Sequence, residues 1–367
     1  EKLKSMAPVP MSKVFFANSG SEANDTVVKM VWYMNNSLGR PKKKKIVGRV
    51  KGYHGITVAA GSLTGLPVNH RSFDLPIQGI VHTGCPHFYR FGKDGETEEQ
   101  FATRCAQELE ELIVKEGGAD EVAAMIAEPV MGAGGVIVPP KGYYEKIQAV
   151  CTKYDMLFIA DEVICGFGRT GNVWGSQTMN IKPDILTCAK ALSASFLPIS
   201  AVMINEKVYQ ALMSESDRIG TWGHGFTYSG HPVAAAVALE AQKIYDETDL
   251  FGHAKRLTPV FRKHIQSFAD HPLVGEAMSA GMMGAIEIVA DKKTKASFEL
   301  GAIGVAGTKV YNHAIARGLF VRNMGDRVAI CPPLIINEAE LGDLFGRLRQ
   351  SFDAALAELK SEGHFKG

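Results

Sequence analysis

Five stretches of this chain combine residue types that could do chemistry. In MLFIADEVICGFGRTG (156–171) an apolar run ends in two carboxylates, an unusual finish because an unpaired buried charge is costly. Strand alternation sets Asp161 and Val163 on one face and Glu162 on the other. A carboxylate beside a small branched apolar group suits a flat cationic heterocycle, with Asp161 paired to a protonated ring nitrogen and Val163 packed beneath the ring. A structural ion pair between the carboxylate and Arg169, or another base, is the alternative. In DILTCAKAL (184–192), Lys190 follows an apolar strand, and a lysine desolvated at a sheet's carboxyl edge becomes an amine nucleophile. An ordinary surface charge is the competing explanation.

NSGSEAND (18–25) crowds turn-forming residues ahead of a helical pattern. Free N–H groups and a positive dipole end make such a helix start a phosphate cradle or simply a capped terminus. In KGYHG (51–55), Tyr53 sits between a strand and a helix with His54 beside it, so its ring could lie over a planar ligand or merely pack. HGFTYSGHP (224–232) puts the hydroxyls of Thr227 and Ser229 just before a helix, to cap it or to bind phosphate. Neither GxxxxGK[ST] nor GxGxxG occurs, which argues against a P-loop or a dinucleotide fingerprint.

The elements that must hold these residues can be read from periodicity. Strands are predicted at 45–50, 122–130, 156–163, 184–189 and 199–204, separated by helices at 22–38, 98–116, 142–154 and 207–214. Near-continuous apolar strands between helices indicate an α/β domain with a mostly parallel sheet covered on both sides. Ligands of such sheets collect at the strands' carboxyl ends. A helix from Pro232 to Asp246 follows, then helices at 252–269, 303–317 and 338–360 with strands at 282–289, 319–323 and 327–331. These form a smaller α/β domain, giving a large domain over 1–245 and a small C-terminal one over 246–367.

With 46% hydrophobic and 22% charged residues and a net charge of +1, the composition is that of a globular protein, with nothing that calls for nucleic acid or a membrane as partner. The basic run Lys42–Lys45 reads as a solvated strand entrance. No apolar stretch reaches the ~18–20 residues of a membrane-spanning helix. Six cysteines without CxxC spacing, and no HExxH, fit reduced thiols in the cytoplasm and no metal site. The opening EKLKSMAPVPMSKVFFANSG reads as the middle of a domain, so the true beginning is expected to be missing.

Taken in order, SGSEAND, GYHG, AEPVMGAGG, ADEVICGFGRTG, the lysine after the next strand and FTYSGHP resemble the class III (omega) aminotransferases of the fold-type I pyridoxal-phosphate enzymes, over nearly the whole chain. The resemblance implies pyridoxal 5'-phosphate as cofactor and a ping-pong exchange between an amine donor and a keto-acid acceptor. By the same resemblance Lys190 carries the internal aldimine and Asp161 pairs with the pyridinium nitrogen. Gly20 and Ser21 hold the phosphate, Tyr53 stacks on the ring with His54 adjacent, Val163 supports the opposite ring face, and Glu128 lies on the ring's oxygen side. Thr227 would reach the phosphate of a neighbouring subunit, implying a homodimer with shared active sites, or a tetramer of such pairs. HGFTYSGHP and GLFVRNMGDRVAICPPL are closest to the amine–pyruvate branch, where Arg322 takes the place of a mobile carboxylate-binding arginine, with Arg327 as rival and an ion pair to Asp326 as the structural alternative. Relatives carry a further N-terminal segment that completes the small domain and lends aromatic residues to the substrate pocket. Aminomutases, dialkylglycine-type decarboxylases and a truncated, catalytically silent paralogue are the alternatives.

Overall fold

The computed structural model describes residues 1–302 and 304–365. Residue 303, where the predicted helix 303–317 begins, and 366–367, at the end of the predicted small domain, lie outside the described residues.

Two compact units are present, the first comprising Glu1–Gly132, Pro139–Phe167 and Val173–Thr248. It runs α1 (Lys2–Met6), β1 (Lys13–Ala17), α2 (Gly20–Ser37), β2 (Lys45–Arg49), α3 (Val58–Leu63), β3 (Ile80–Thr83), α4 (Phe88–Phe91) and α5 (Glu98–Lys115). It continues through β4 (Val122–Ala127), α6 (Tyr143–Lys153), β5 (Leu157–Asp161), α7 (Gly175–Thr178), β6 (Ile185–Cys188), β7 (Ser200–Ile204), α8 (Glu206–Ile219) and α9 (Pro232–Glu247). The seven strands form one sheet in the order β1-β7-β6-β5-β4-β2-β3. β3, β2, β4, β5 and β6 are mutually parallel, whereas β7 runs antiparallel to both β6 and β1. β1 therefore points the same way as the central strands.

The sequence explains this layering. Every residue of β4, VAAMIA, is buried, because helices cover both faces and neither needs polar side chains. One side is filled by α2 and α8 through Val27, Val31, Val208 and Leu212. The other is filled by α5 and α6 through Phe101, Leu109, Tyr143 and Ile147. α5 starts on a capping box in which Thr97 and Gln100 exchange side-chain and main-chain bonds. α9 begins on Pro232, whose fixed φ and missing N–H cost nothing in the first turn.

The basic run Lys42–Lys45 is not a solvated entrance. Lys43 is buried and donates to Tyr154 O at 3.1 Å, and that burial pushes its ammonium pKa down. Lys45 pairs with Glu116 at 3.1 Å and Glu121 at 2.9 Å. Acidic residues at the end of α5 and in the loop before β4 thus neutralise the strand's entry, a tertiary arrangement that a charge run alone does not disclose.

The second unit comprises Ala133–Val138, Gly168–Asn172 and the chain from Asp249 onward. It contains α10 (Leu250–Gln266), β8 (Val274–Ala280), β9 (Met283–Ile288), α11 (Val305–Ala316), β10 (Arg322–Asn323), β11 (Arg327–Ile330) and α12 (Glu338–Ser361). Its sheet is antiparallel throughout, in the order β10-β11-β9-β8. Phe261, Phe268, Phe345 and Phe352 from α10, the 3-10 turn after it and α12 fill its core. Among the described residues no helix is long and apolar enough to cross a membrane.

Glu162, just after β5, is fully buried and ties α7 to the sheet. Its carboxylate accepts from Gly175 N at 2.8 Å and from Ser176 N and Oγ, both at 2.6 Å. Burial nonetheless outweighs these donors and pushes its pKa up to about 7. A carboxyl raised in the folded state contributes stability that is present at low pH and lost as pH rises through the folded value. Glu162→Gln is therefore expected to unfold near the parent's midpoint at pH 4.5 and above it at pH 8. The difference is on the order of 3 kcal/mol, read by thermal denaturation at the two pH values.

Candidate active site

Along one edge of the large sheet, the carboxyl ends of β1, β2, β4, β5 and β6 each release the chain into a segment that lines a single cavity of about 360 Å³. Asn18–Ser21 follow β1, Tyr53–Gly55 follow β2, Glu128 follows β4, Asp161 ends β5, and Ala189–Lys190 follow β6. The predicted residues Gly20, Ser21, Tyr53, His54, Glu128, Asp161, Val163 and Lys190 all line it. Thr227 does not: it is exposed in the turn before α9. Arg322 lies on β10 of the second unit.

Asp161 is the floor. Its carboxylate is 3% exposed. Oδ2 accepts from His54 Nδ1 at 2.7 Å and Asn24 Nδ2 at 2.9 Å, and Oδ1 accepts from Val163 N at 3.1 Å. A carboxylate only accepts, so Nδ1 of His54 carries the shared hydrogen. Oδ1, which can take two donors, retains acceptor capacity at the cavity. His54 thus lines the cavity and acts on Asp161. The structural ion pair with Arg169 does not form, since Arg169 instead donates to Met282 O at 3.0 Å and Pro332 O at 2.7 Å within the second unit.

Val163 reaches the cavity by a different route from strand alternation. β5 stops at Asp161, and 163 already lies in a turn. The main-chain bond from Val163 N back to Asp161 Oδ1 brings it to the same side. Gly20 lies against it: a Cβ there would stand 3.1 Å from Val163 Cγ2, so glycine lets the first turn of α2 approach this closely.

That first turn is capped by Ser19, whose side chain accepts from Glu22 N at 3.2 Å, while Glu22 Oε2 accepts from Asn18 N at 2.7 Å. Ser21 Oγ accepts from Ile56 N at 3.1 Å, leaving its hydroxyl hydrogen to donate. Glu128 is buried and bridges two segments, accepting from Tyr53 N at 3.0 Å and Gly132 N at 2.8 Å. Burial raises its pKa. Behind it the fully buried Arg49 donates to Glu128 O at 2.6 Å and to Tyr144 Oη at 2.9 Å. Lys190 opens a one-turn 3-10 helix with φ of +45°, the left-handed region that side chains other than glycine enter at a cost.

Asn24 is the functional residue that sequence reasoning missed. It sits inside NSGSEAND, and the signal available was the residue type alone, since asparagine within a helical pattern is a poor helix former. The rival to Arg322 is excluded by its surroundings. Arg327 is buried and bonded to Glu276 at 2.8 Å, to Glu287 and to Gly135 O. Arg322 is exposed and makes no ion pair among the described residues, so the alternative bond to Asp326 is not made. Asp326 instead accepts from Gly307 N at 2.8 Å.

A cofactor fits this cavity. A partly satisfied buried carboxylate faces one side, a capped helix start with a glycine and a hydroxyl faces another, and a lysine held in a left-handed turn faces the same space. This is the donor set for an anionic, cationic-ringed aldehyde.

Comparison with known proteins agrees. Residues 1–352 match the family model described as Aminotransferase class-III. A tomato (Solanum lycopersicum) protein named gamma aminobutyrate transaminase 3, chloroplastic, is 49% identical over 361 residues, covering 97% of this chain and 68% of its own. A solved structure described as a transaminase with L-alanine shares 57% identity and a TM-score of 0.96, covering 98% of this chain and 84% of that one. The omega transaminase from Pseudomonas jessenii in complex with PMP gives 56% identity and a TM-score of 0.96, over 98% of this chain and 79% of that one. With the family matched across nearly its whole length and the cofactor's donor set gathered at one sheet edge, the chain is a member of the class III aminotransferases and a pyridoxal-phosphate-dependent transaminase.

Proposed function

We propose that this aminotransferase moves an amino group from an amine or omega-amino acid to pyruvate in two alternating half-reactions, with Lys190 as the attachment lysine. The observation that carries the reading is the convergence of Lys190 and the buried Asp161 on one cavity. The names of relatives support the substrates: gamma-aminobutyrate for the tomato protein, and alanine, whose keto acid is pyruvate, for one solved structure.

When bound, pyridoxal phosphate supplies a protonated ring able to take up the electron pair released at the substrate carbon. The chain's own residues do the rest. Asp161, fixed by His54 and Asn24, holds the proton at the ring nitrogen; buried charge of this kind is little screened by water. Lys190 Nζ would hold the cofactor between turnovers and would carry a proton away from the substrate carbon. The N–H groups at the start of α2, with Gly20 and the Ser21 hydroxyl, bind the phosphate. Tyr53 and Val163 would hold the ring between them, and Glu128 would orient the side bearing the ring oxygen.

Two assignments reach further. Thr227, exposed ahead of α9, is assigned to the phosphate of a second subunit in a homodimer. Arg322 is assigned to the acceptor's carboxylate, for which a guanidinium fork offers two parallel bonds. The domain reading assigns cofactor binding to 1–245 and the arginine to 246–367. A cytoplasmic setting, supported by six free thiols, stands against the chloroplast in the tomato relative's name.

The test is an absorbance spectrum of the chain with pyridoxal phosphate. A visible band should fade with an amine donor and return with pyruvate; a band indifferent to both would sink the reading. Lys190→Ala should abolish turnover and the borohydride label, and Asp161→Asn should cost at least ~100-fold in kcat; full activity in either would remove its assigned role. Arg322→Ala should raise the KM for pyruvate about 10–100-fold, as expected for losing a charged hydrogen-bond pair. The KM of a carboxylate-free amine donor should not move, and steady-state kinetics with both substrates varied reads the difference.

A further inference from the structure

The turn that presents Lys190 is not stable by its own geometry. Lys190 has a φ of +45°, and Ala194 and Ser195 follow at +50° and +64°. Three non-glycine residues in the left-handed region within six positions carry backbone strain. The segment closes on main-chain bonds of its own, among them Leu192 N to Ala189 O at 2.9 Å and Phe196 N to Ser193 O at 3.0 Å, and α9 holds it from outside. Gln242 Nε2 donates to Leu192 O at 3.0 Å, and Tyr245 Oη donates to Ala191 O at 2.9 Å. The two side chains lie three residues apart, one above the other on a single helix face. They grip the two carbonyls that immediately follow the lysine.

Both residues are buried, Gln242 at 2% exposure and Tyr245 at 9%, and neither lines the cavity. Gln242 keeps its own Oε1 buried without a partner. An apolar side chain of that size would fill the same volume without this penalty, so packing alone does not account for the amide. What the amide adds is the bond to Leu192 O.

We propose that Gln242 and Tyr245 are positioning residues that hold the Lys190 turn in its left-handed conformation and thereby aim the amine into the cofactor cavity. The inference rests on the reading of Lys190 as the attachment lysine and adds to it the means by which the lysine is aimed. Both bonds are made from α9, and each opposes the backbone strain of the turn.

Gln242→Met and Tyr245→Phe each delete a donor while nearly conserving volume. Hydrogen–deuterium exchange of the cofactor-free chain is the direct readout. Each variant should exchange about three- to tenfold faster over 190–197, with β6 and the remainder of α9 at the parent's rate. In the cofactor-loaded protein, the pH at which the visible band changes should shift and kcat should fall by a similar factor, with the KM for pyruvate within twofold. Parental exchange over 190–197 in both variants would overturn the proposal. So would uniform acceleration through α9 and β6, which would mark the pair as packing only. Borohydride reduction of the loaded parent separates the two levels: a label away from Lys190 removes the attachment reading, whereas the exchange measurement decides the grip on the turn in either case.

Discussion

The site depends on satisfying one carboxylate inside the protein. Asp161 ends a fully buried strand, beside Thr187 of β6 and ahead of the buried Glu162, where a bare charge is costly. Three donors from separate places make it tolerable: the His54 ring from the segment after β2, the Asn24 amide from α2, and the main chain of Val163. Each constrains something else. Asn24 also donates to His54 O at 2.7 Å, so the helix that starts at the phosphate corner is locked to the loop that carries Tyr53. The bond from Val163 places an apolar group next to the charge and against Gly20. Satisfying the aspartate therefore builds most of the cavity.

Much of this was legible in the sequence, and the limits have physical causes. Buried parallel strands such as β4 and β5 stand out because both faces are apolar, and their ends lie within a few residues of where the apolar runs stop. β1 and β3 went unread. KVFFA is short and sits at an edge beside the antiparallel β7, and IVHT is shorter still. In the second unit β8, VGEAMSA, escaped because five of its seven residues are only half-buried, which leaves no strong period. Helix α8 runs to Ile219, beyond the predicted 207–214, because Glu215 and Arg218 close a salt bridge on its last turns.

The site residues were legible as types and less so as roles. Asp161 and Lys190 could be picked out because a charge at the end of an apolar strand contradicts burial. His54 was read as a neighbour of the ligand, yet its bond goes to Asp161, a partner 107 residues away. Asn24 and the pair on α9 act through main-chain carbonyls and carboxylates that only the fold brings near. α9 itself joins two parts of the proposed site, since the segment before its first turn bears Thr227 and its later turns grip the residues after Lys190.

The position of β1 also bears on how the protein matures during synthesis. Its residues 13–17 pair with 200–204 of β7, and Ser200 Oγ donates to Ser19 O at 2.7 Å, at the joint where α2 begins. At ribosomal speeds those partners emerge about 10–40 s apart. Through that interval the apolar KVFFA has no strand to join, and it is the kind of edge that recruits other chains. A nascent chain halted before β7 would have its aspartate floor with β1 still unpaired, so the strand that leads into the phosphate corner is fixed only once residues 200–204 have emerged.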